Sequence, residues 1–182
     1  MKKKRILITG GAGFIGSHTA QSCIDAGHSV CIADNFLTGK RENIPFGADF
    51  FYTDVTYYAG VKEIYKRYKP THVIHLAAQT SITDSFLDPF GSIKINVDGS
   101  LNVIYCIQES SLPIPLIFAS SAGVYDDSKW GYPQQYESSI TNPKTPYGVS
   151  KLAVEGYCKC MLKSPLTIFR YSNVYGPNAT NG

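Results

Sequence analysis

Tyr147 and Lys151 stand four residues apart in Tyr147-Gly148-Val149-Ser150-Lys151, a spacing that stacks the two on one face of a helix. A phenol with an ordinary pKa of about 10 is a poor base at neutral pH. An ammonium close by favours the phenolate, and a positively charged nicotinamide ring would add to that. Such a pair can take the proton of a sugar hydroxyl while hydride leaves the same carbon. Tyrosine and lysine at this spacing are common on surface helices, so the pair gains meaning from its surroundings. One neighbour is Ser120-Ser121, which closes the apolar stretch Leu116-Ile117-Phe118-Ala119. Ser121 is the candidate relay between a substrate oxygen and Tyr147, and Ser120 is the adjacent alternative.

A second feature lies far upstream. Ile6-Leu7-Ile8 reads as a buried strand that breaks into the glycine-dense turn Thr9-Gly10-Gly11-Ala12-Gly13-Phe14-Ile15-Gly16. Gly10 lets the chain turn sharply off the strand, Gly13 lets backbone approach a pyrophosphate, and Gly16 lets the following helix pack on the strand. The N–H groups at the helix start, at Phe14 and Ile15, would meet the phosphate charge. The pattern is a variant of the dinucleotide fingerprint, set where strand, turn and helix are needed. Asp34 ends the next strand, 18 residues beyond Gly16, near the distance expected of an acid that holds the adenosine ribose hydroxyls. A carboxylate there repels a 2′-phosphate, so NAD is the expected cofactor. Lys40 and Arg41 nearby leave NADP in play.

These groups need a frame. A helix is expected from Phe14 to about Ala26, ended by Gly27, and strands are expected at 29–33, 48–52, 71–78, 116–120 and 166–170. Between them, helices are expected at 58–68, 89–110 and 147–162, with a polar loop at 79–84 and Pro70 as a stop. Strands alternating with helices predict an α/β fold: a Rossmann-type doubly wound parallel sheet with helices on both faces, in one domain spanning 1–182. Ligands of such sheets sit outside the carboxyl ends of the strands. That rim collects Asp34, Asp54, Ala77, Ala78, Ser120, Ser121, Tyr171, Ser172 and Asn173.

Composition narrows the function classes. Hydrophobic residues make up 43% and charged residues 17%, with a net charge of +3, so neither nucleic acid nor a membrane surface is an expected partner. No apolar run is long enough to span a bilayer, and no leader-like segment precedes the glycine turn. Five unpatterned cysteines suit a reducing compartment, and a cytoplasmic protein is expected. No hydrolytic Ser/His/Asp or Cys/His set stands out, and no histidine or cysteine spacing points to a metal. His75 reads as a buried structural histidine.

Taken together, these residues resemble the extended short-chain dehydrogenase/reductase family, in its NAD-dependent epimerase/dehydratase branch, and among its members nucleotide-sugar epimerases of the UDP-glucose 4-epimerase type. The resemblance is carried by Thr9–His18, Asp34-Asn35, Asp54-Val55, His75–Ala78, Asn96-Val97, Ser120–Tyr125, Tyr147–Lys151 and Arg170–Pro177, in family order along nearly the whole chain. It implies that Asp34 and Asn35 hold the adenosine ribose and Asp54 and Val55 the adenine. Leu76, Ala77, Ala78, Asn96 and Ser120 then lie along the cofactor, and Tyr171 lies by the nicotinamide. Tyr147 becomes the base, Lys151 holds the nicotinamide ribose, Ser121 takes the catalytic serine or threonine position, and Asn173 touches substrate with Ser121 and Tyr147.

The implied reaction oxidises C4 of a UDP-hexose, lets the 4-keto sugar rotate and returns hydride to its other face. Family dehydratases place an acid just after the catalytic serine or threonine. Here those positions are Ala122 and Gly123, which favours epimerisation. A dehydratase or reductase of the same family, and a non-catalytic NAD-binding module, are the alternatives. Family members continue into a smaller C-terminal domain that closes over the sugar, so residues 1–182 are expected to be the NAD-binding domain alone. Their usual homodimer would form through the helices at 89–110 and 147–162.

Overall fold

The computed structural model describes residues 2–125, 135–177 and 179. Six parallel strands form one sheet: β1 (Arg5–Thr9), β2 (Ser29–Asp34), β3 (Asp49–Tyr52), β4 (His72–His75), β5 (Leu116–Ser121) and β6 (Leu166–Tyr171), in the order β3-β2-β1-β4-β5-β6. The order reverses between β1 and β4, and that switch point is where open α/β sheets leave a crevice for ligand. Near-continuous apolar strands such as Ile6-Leu7-Ile8 and Val30-Cys31-Ile32-Ala33 are buried on both faces, as a central parallel sheet requires.

The helices split unevenly between the two faces. α2 (Tyr58–Tyr68), α5 (Gly99–Gln108) and α6 (Pro146–Met161) bury Val61, Ile64, Val103, Ile104, Val154 and Cys158 against Leu7, Val73, Leu116 and Phe118. On the opposite face α1 (Phe14–Asp25) packs Ala20 against Ile6, Ile8, Val30 and Ile32. The expected doubly wound sheet is therefore present, with helices on both faces. Beyond α1, the strands β4, β5 and β6 floor an apolar groove of about 890 Å³ lined by Ile74, Ile117 and Thr167.

Chain punctuation follows local chemistry. α1 closes with Gly27 at φ +82, where the Gly27 N–H bonds the Ile24 carbonyl and the His28 N–H that of Cys23. α6 opens on Thr145, whose Oγ1 accepts from the Gly148 N–H at 3.0 Å, with Pro146 in the first turn.

Three expectations of element are corrected. The strand expected at 71–78 ends at His75, because Leu76–Ala78 leave the sheet to form the wall of the crevice. The loop expected at 79–84 runs instead into a short helix, α3 (Ile82–Leu87), capped by Ser81, whose Oγ accepts the Asp84 N–H at 3.1 Å. The single helix expected at 89–110 is α4 (Pro89–Ile93) and α5 joined by a π-helical segment, Lys94–Asp98.

Candidate active site

The glycine turn and the end of β4 meet at close quarters. Gly10 has φ +70, and a Cβ there would lie 2.7 Å from the Ala77 nitrogen. A Cβ on Gly16 would overlap the Gly10 carbonyl oxygen, so α1 can start this close to β1 only with glycine. Gly13 is different: its Cβ would meet only the Gly10 carbonyl oxygen, at 3.3 Å, and the residue opens onto the crevice. That crevice has a volume of about 1000 Å³. From end to end it brings together Asp34 and Asn35, the glycines with Phe14 and Ile15, Leu76 to Ala78, and Ser120, Ser121, Tyr147, Lys151, Tyr171 and Asn173.

Asp34 is buried and its two carboxylate oxygens are anchored by backbone, one by the Ala12 N–H at 3.0 Å and one by the Phe36 N–H at 2.8 Å. The carboxylate thus ties the glycine turn to the loop after β2 and keeps lone pairs to offer a ligand. Asn35 donates to Asp54 at 3.0 Å, which joins the ends of β2 and β3. Burial would raise the Asp54 carboxyl, but hydrogen bonds from the Thr56 N–H, the Thr56 hydroxyl and Asn35 outweigh it and hold the group below the usual range. Val55 lines the same end, packed against Gly99. Lys40 also lines it, whereas the Arg41 guanidinium is stacked over the rings of Phe36 and Phe50.

At the other end, Tyr147 and Lys151 sit one turn apart on α6, with the Lys151 Nζ 5.8 Å from the centre of the Tyr147 ring. Lys151 is buried. Its ammonium donates to the Ala119 carbonyl at 2.9 Å and is pushed down to about 8 by desolvation. Burial pushes the Tyr147 phenol up, and hydrogen bonding by the neighbouring Ser121 hydroxyl works against that rise. Burial is the largest influence on the phenol, so its net shift is upward and not toward the phenolate that the spacing suggests. The Ser121 oxygen accepts the Gly123 N–H at 3.0 Å, which leaves its own proton for another partner.

The structure separates the two serines. The Ser120 hydroxyl points back into the protein and donates to Glu155 Oε1 at 2.6 Å, while Ser121 is the one beside Tyr147. Tyr171, stacked on Phe169 and raised by burial, and the exposed Asn173 line the crevice beyond β6.

Asn96 stands behind the crevice wall in the π-helical segment. Its amide oxygen accepts the Gln79 N–H at 2.8 Å, and its amide nitrogen donates to the Gln79 carbonyl at 3.1 Å and to Ser150 Oγ at 2.9 Å. It braces the Ala77–Gln79 loop against the helix that carries Tyr147. Ser85 of α3 adds a second brace, accepting the otherwise orphaned Tyr147 N–H at 3.2 Å. His75 is buried between Thr9 and Ser100, and desolvation, with the Lys151 charge behind it, pushes the imidazole down to about 3. It is a neutral structural bridge. Sequence reasoning gave no bracing role to Glu155, Arg170, Ser85 or Gln79, because the partners that give them one lie on other elements.

Residues 6–182 match the model of the NAD dependent epimerase/dehydratase family. A putative UDP-glucose 4-epimerase of Methanocaldococcus jannaschii is 38% identical over 178 residues, 94% of this chain and 56% of that protein. Among solved structures, the Thermus thermophilus UDP-glucose 4-epimerase in complex with NAD is similar at a TM-score of 0.90 and 38% identity, covering 98% of this chain and 58% of the other. The Thermotoga maritima UDP-glucose 4-epimerase with UDP-glucose is similar at a TM-score of 0.90 and 35% identity, over 96% and 57%. The chain spans little more than half the length of these relatives.

Proposed function

We propose, on the premise that this chain belongs to the NAD-dependent epimerase/dehydratase family, that it is the cofactor-binding and proton-transferring portion of a nucleotide-sugar 4-epimerase acting on a UDP-hexose of the UDP-glucose/UDP-galactose type. The observation that carries this reading is the meeting of Ser121, Tyr147 and Lys151 with the glycine turn and Asp34 in one crevice at the sheet's switch point. The residues fit NAD: a glycine turn open at Gly13, helix N–H groups behind it, and a fixed carboxylate at the end of β2. NAD, when bound, supplies a reversible acceptor for hydride, which gives access to a transient 4-keto sugar.

The chain's own residues handle position and protons. Asp34 and Asn35 hold the adenosine ribose, with Asp54 and Val55 at the adenine end. Lys151 holds the nicotinamide ribose, and Leu76 to Ala78 wall the cofactor. Tyr147 removes the hydroxyl proton and later returns it, with Ser121 as relay and Tyr171 and Asn173 flanking the sugar. Burial raises the Tyr147 phenol, and positive charge brought by the cofactor would lower it toward the working range. Ala122 and Gly123 bring no acid after Ser121, which favours epimerisation over elimination.

A homodimer fits the surface. Phe90, Ile93 and Tyr105 on α4 and α5, and Val149 and Tyr157 on α6, are exposed apolar side chains on adjoining helices. No helix among the described residues is long and apolar enough to cross a membrane, and the five free cysteines fit a reducing, cytoplasmic setting.

Calorimetric titration with NAD and NADP is the first test; NAD is expected to bind and to be preferred, and binding of neither overturns the cofactor reading. With UDP-galactose, the expected product is the C4 epimer with no net redox change, and Tyr147→Phe is expected to keep NAD binding while losing about 100-fold or more in turnover. A stable 4-keto-6-deoxy product would instead make the protein a dehydratase.

A further inference from the structure

Glu155 is the acidic residue one turn beyond Lys151 on α6, and the proton transfer has no use for it. Its side chain is 1% exposed, and both carboxylate oxygens are hydrogen-bonded. Oε1 accepts from Ser120 Oγ at 2.6 Å and from Arg170 Nε at 2.8 Å, and Oε2 accepts from Arg170 Nη2 at 2.7 Å. Lys159 stands 3.6 Å from Oε2 on the outer side. Arg170 is held in turn by the Tyr125 ring, 4.7 Å from its guanidinium carbon, and by the Glu137 carbonyl at 3.2 Å. One carboxylate therefore ties α6 to the last residues of β5 and β6. Those are the residues next to Ser121 and Tyr171.

Side chains alternate along a strand, so when one of two adjacent serines turns to one side the other turns away. Removing a partner from a buried charge pair leaves the remaining charge unpaired, so the arrangement resists rearrangement. We propose that Glu155 is a positioning residue: by holding the Ser120 hydroxyl and the Arg170 fork, it sets the end of β5 so that Ser121, and not Ser120, faces Tyr147. The inference rests on the proposed role of Tyr147 for its meaning in catalysis, while its geometry stands without it.

The test is nuclear magnetic resonance of the chain labelled with 13C at tyrosine Cζ, with the Tyr147 signal assigned by its loss in Tyr147→Phe. Ser121→Ala moves that signal by removing the neighbouring hydroxyl. Glu155→Ala is expected to move it to the same position, and Ser121→Ala added to Glu155→Ala is expected to move it no further. Glu155→Gln, which keeps an acceptor for Ser120, is expected to hold it at the wild-type position. A merely structural role predicts a lower melting temperature with the Tyr147 signal unmoved, and that outcome overturns the proposal. Should Glu155→Ala not fold, Ser120→Ala, which removes one buried bond and little volume, carries the same prediction; an unmoved signal there is equally fatal. NAD titration of the same variants reports on the cofactor reading separately, since the adenosine end of the crevice is untouched by them.

Discussion

Burial pushes the Lys151 ammonium down to about 8 while its Nζ donates to the Ala119 carbonyl. In the unfolded chain the same group titrates at its ordinary 10.5. Between those values the unfolded chain binds more protons, so stability rises with pH across that window, and below about 8 the cost of burying the charge is present in full. Relative to Lys151→Met, the wild-type chain should gain up to roughly 3 kcal/mol between pH 8 and 10.5, read from urea midpoints of the two proteins at each pH. A constant difference would mean that Lys151 titrates alike in the folded and unfolded chains, so that burial does not penalise its charge. A stability cost borne for the sake of a cation in the crevice is what a functional residue leads one to expect. At this scale the sequence was legible wherever chemistry is local. Tyr147 and Lys151 share a helix face, and Asp34 ends a strand. Ser121 was legible as the catalytic position from the family pattern, but the bonds that hold Ser120 were not, because they come from Glu155 and, behind it, Arg170, which lie 35 and 50 residues beyond Ser120.

Strand and helix ends agreed with periodicity to within about a residue for β2, β3, α2, β5 and α6, because each is bounded by a cap, a proline or a glycine that acts locally. The failures have local causes too. α3 is six residues long, too short to show a period, and the π-helical segment keeps an apolar stripe that a straight helix would also show. Both lie behind the crevice and hold its wall through Ser85 and Asn96. The glycine turn gives the sharpest prediction for an element. Gly16→Ala sets a methyl against the Gly10 carbonyl and should lower stability by about 1–3 kcal/mol and weaken NAD binding together. Gly13→Ala meets only one atom at 3.3 Å, so the melting temperature should hardly move, while NAD affinity should fall by about tenfold or more because the methyl occupies the approach of the phosphates. Differential scanning calorimetry and titration of both variants separate the two roles, and equal losses of affinity at equal stability would contradict them.

For the molecule as a whole, the exposed side chains of α4, α5 and α6 predict association. Sedimentation should give the mass of two chains at micromolar concentration, and Ile93→Asp or Val149→Asp, both on exposed positions, should halve it without lowering the melting temperature. A single-chain mass for the wild type would remove the dimer. The opposite flank has a different consequence. β6 pairs with β5 on one side, and among the described residues no strand pairs with its other side, along Leu166-Thr167-Ile168-Phe169 beside the apolar groove. An open edge of this composition is a template on which another strand can grow. Heating should therefore end in irreversible loss of protein, with an apparent melting temperature that climbs with scan rate and falls with concentration. Thr167→Lys, at an exposed position on that edge, should restore reversibility on cooling with the fold unchanged. How long a solution of this protein survives is then a matter of clock time and dilution, governed by one strand and not by the depth of the folded state's energy well.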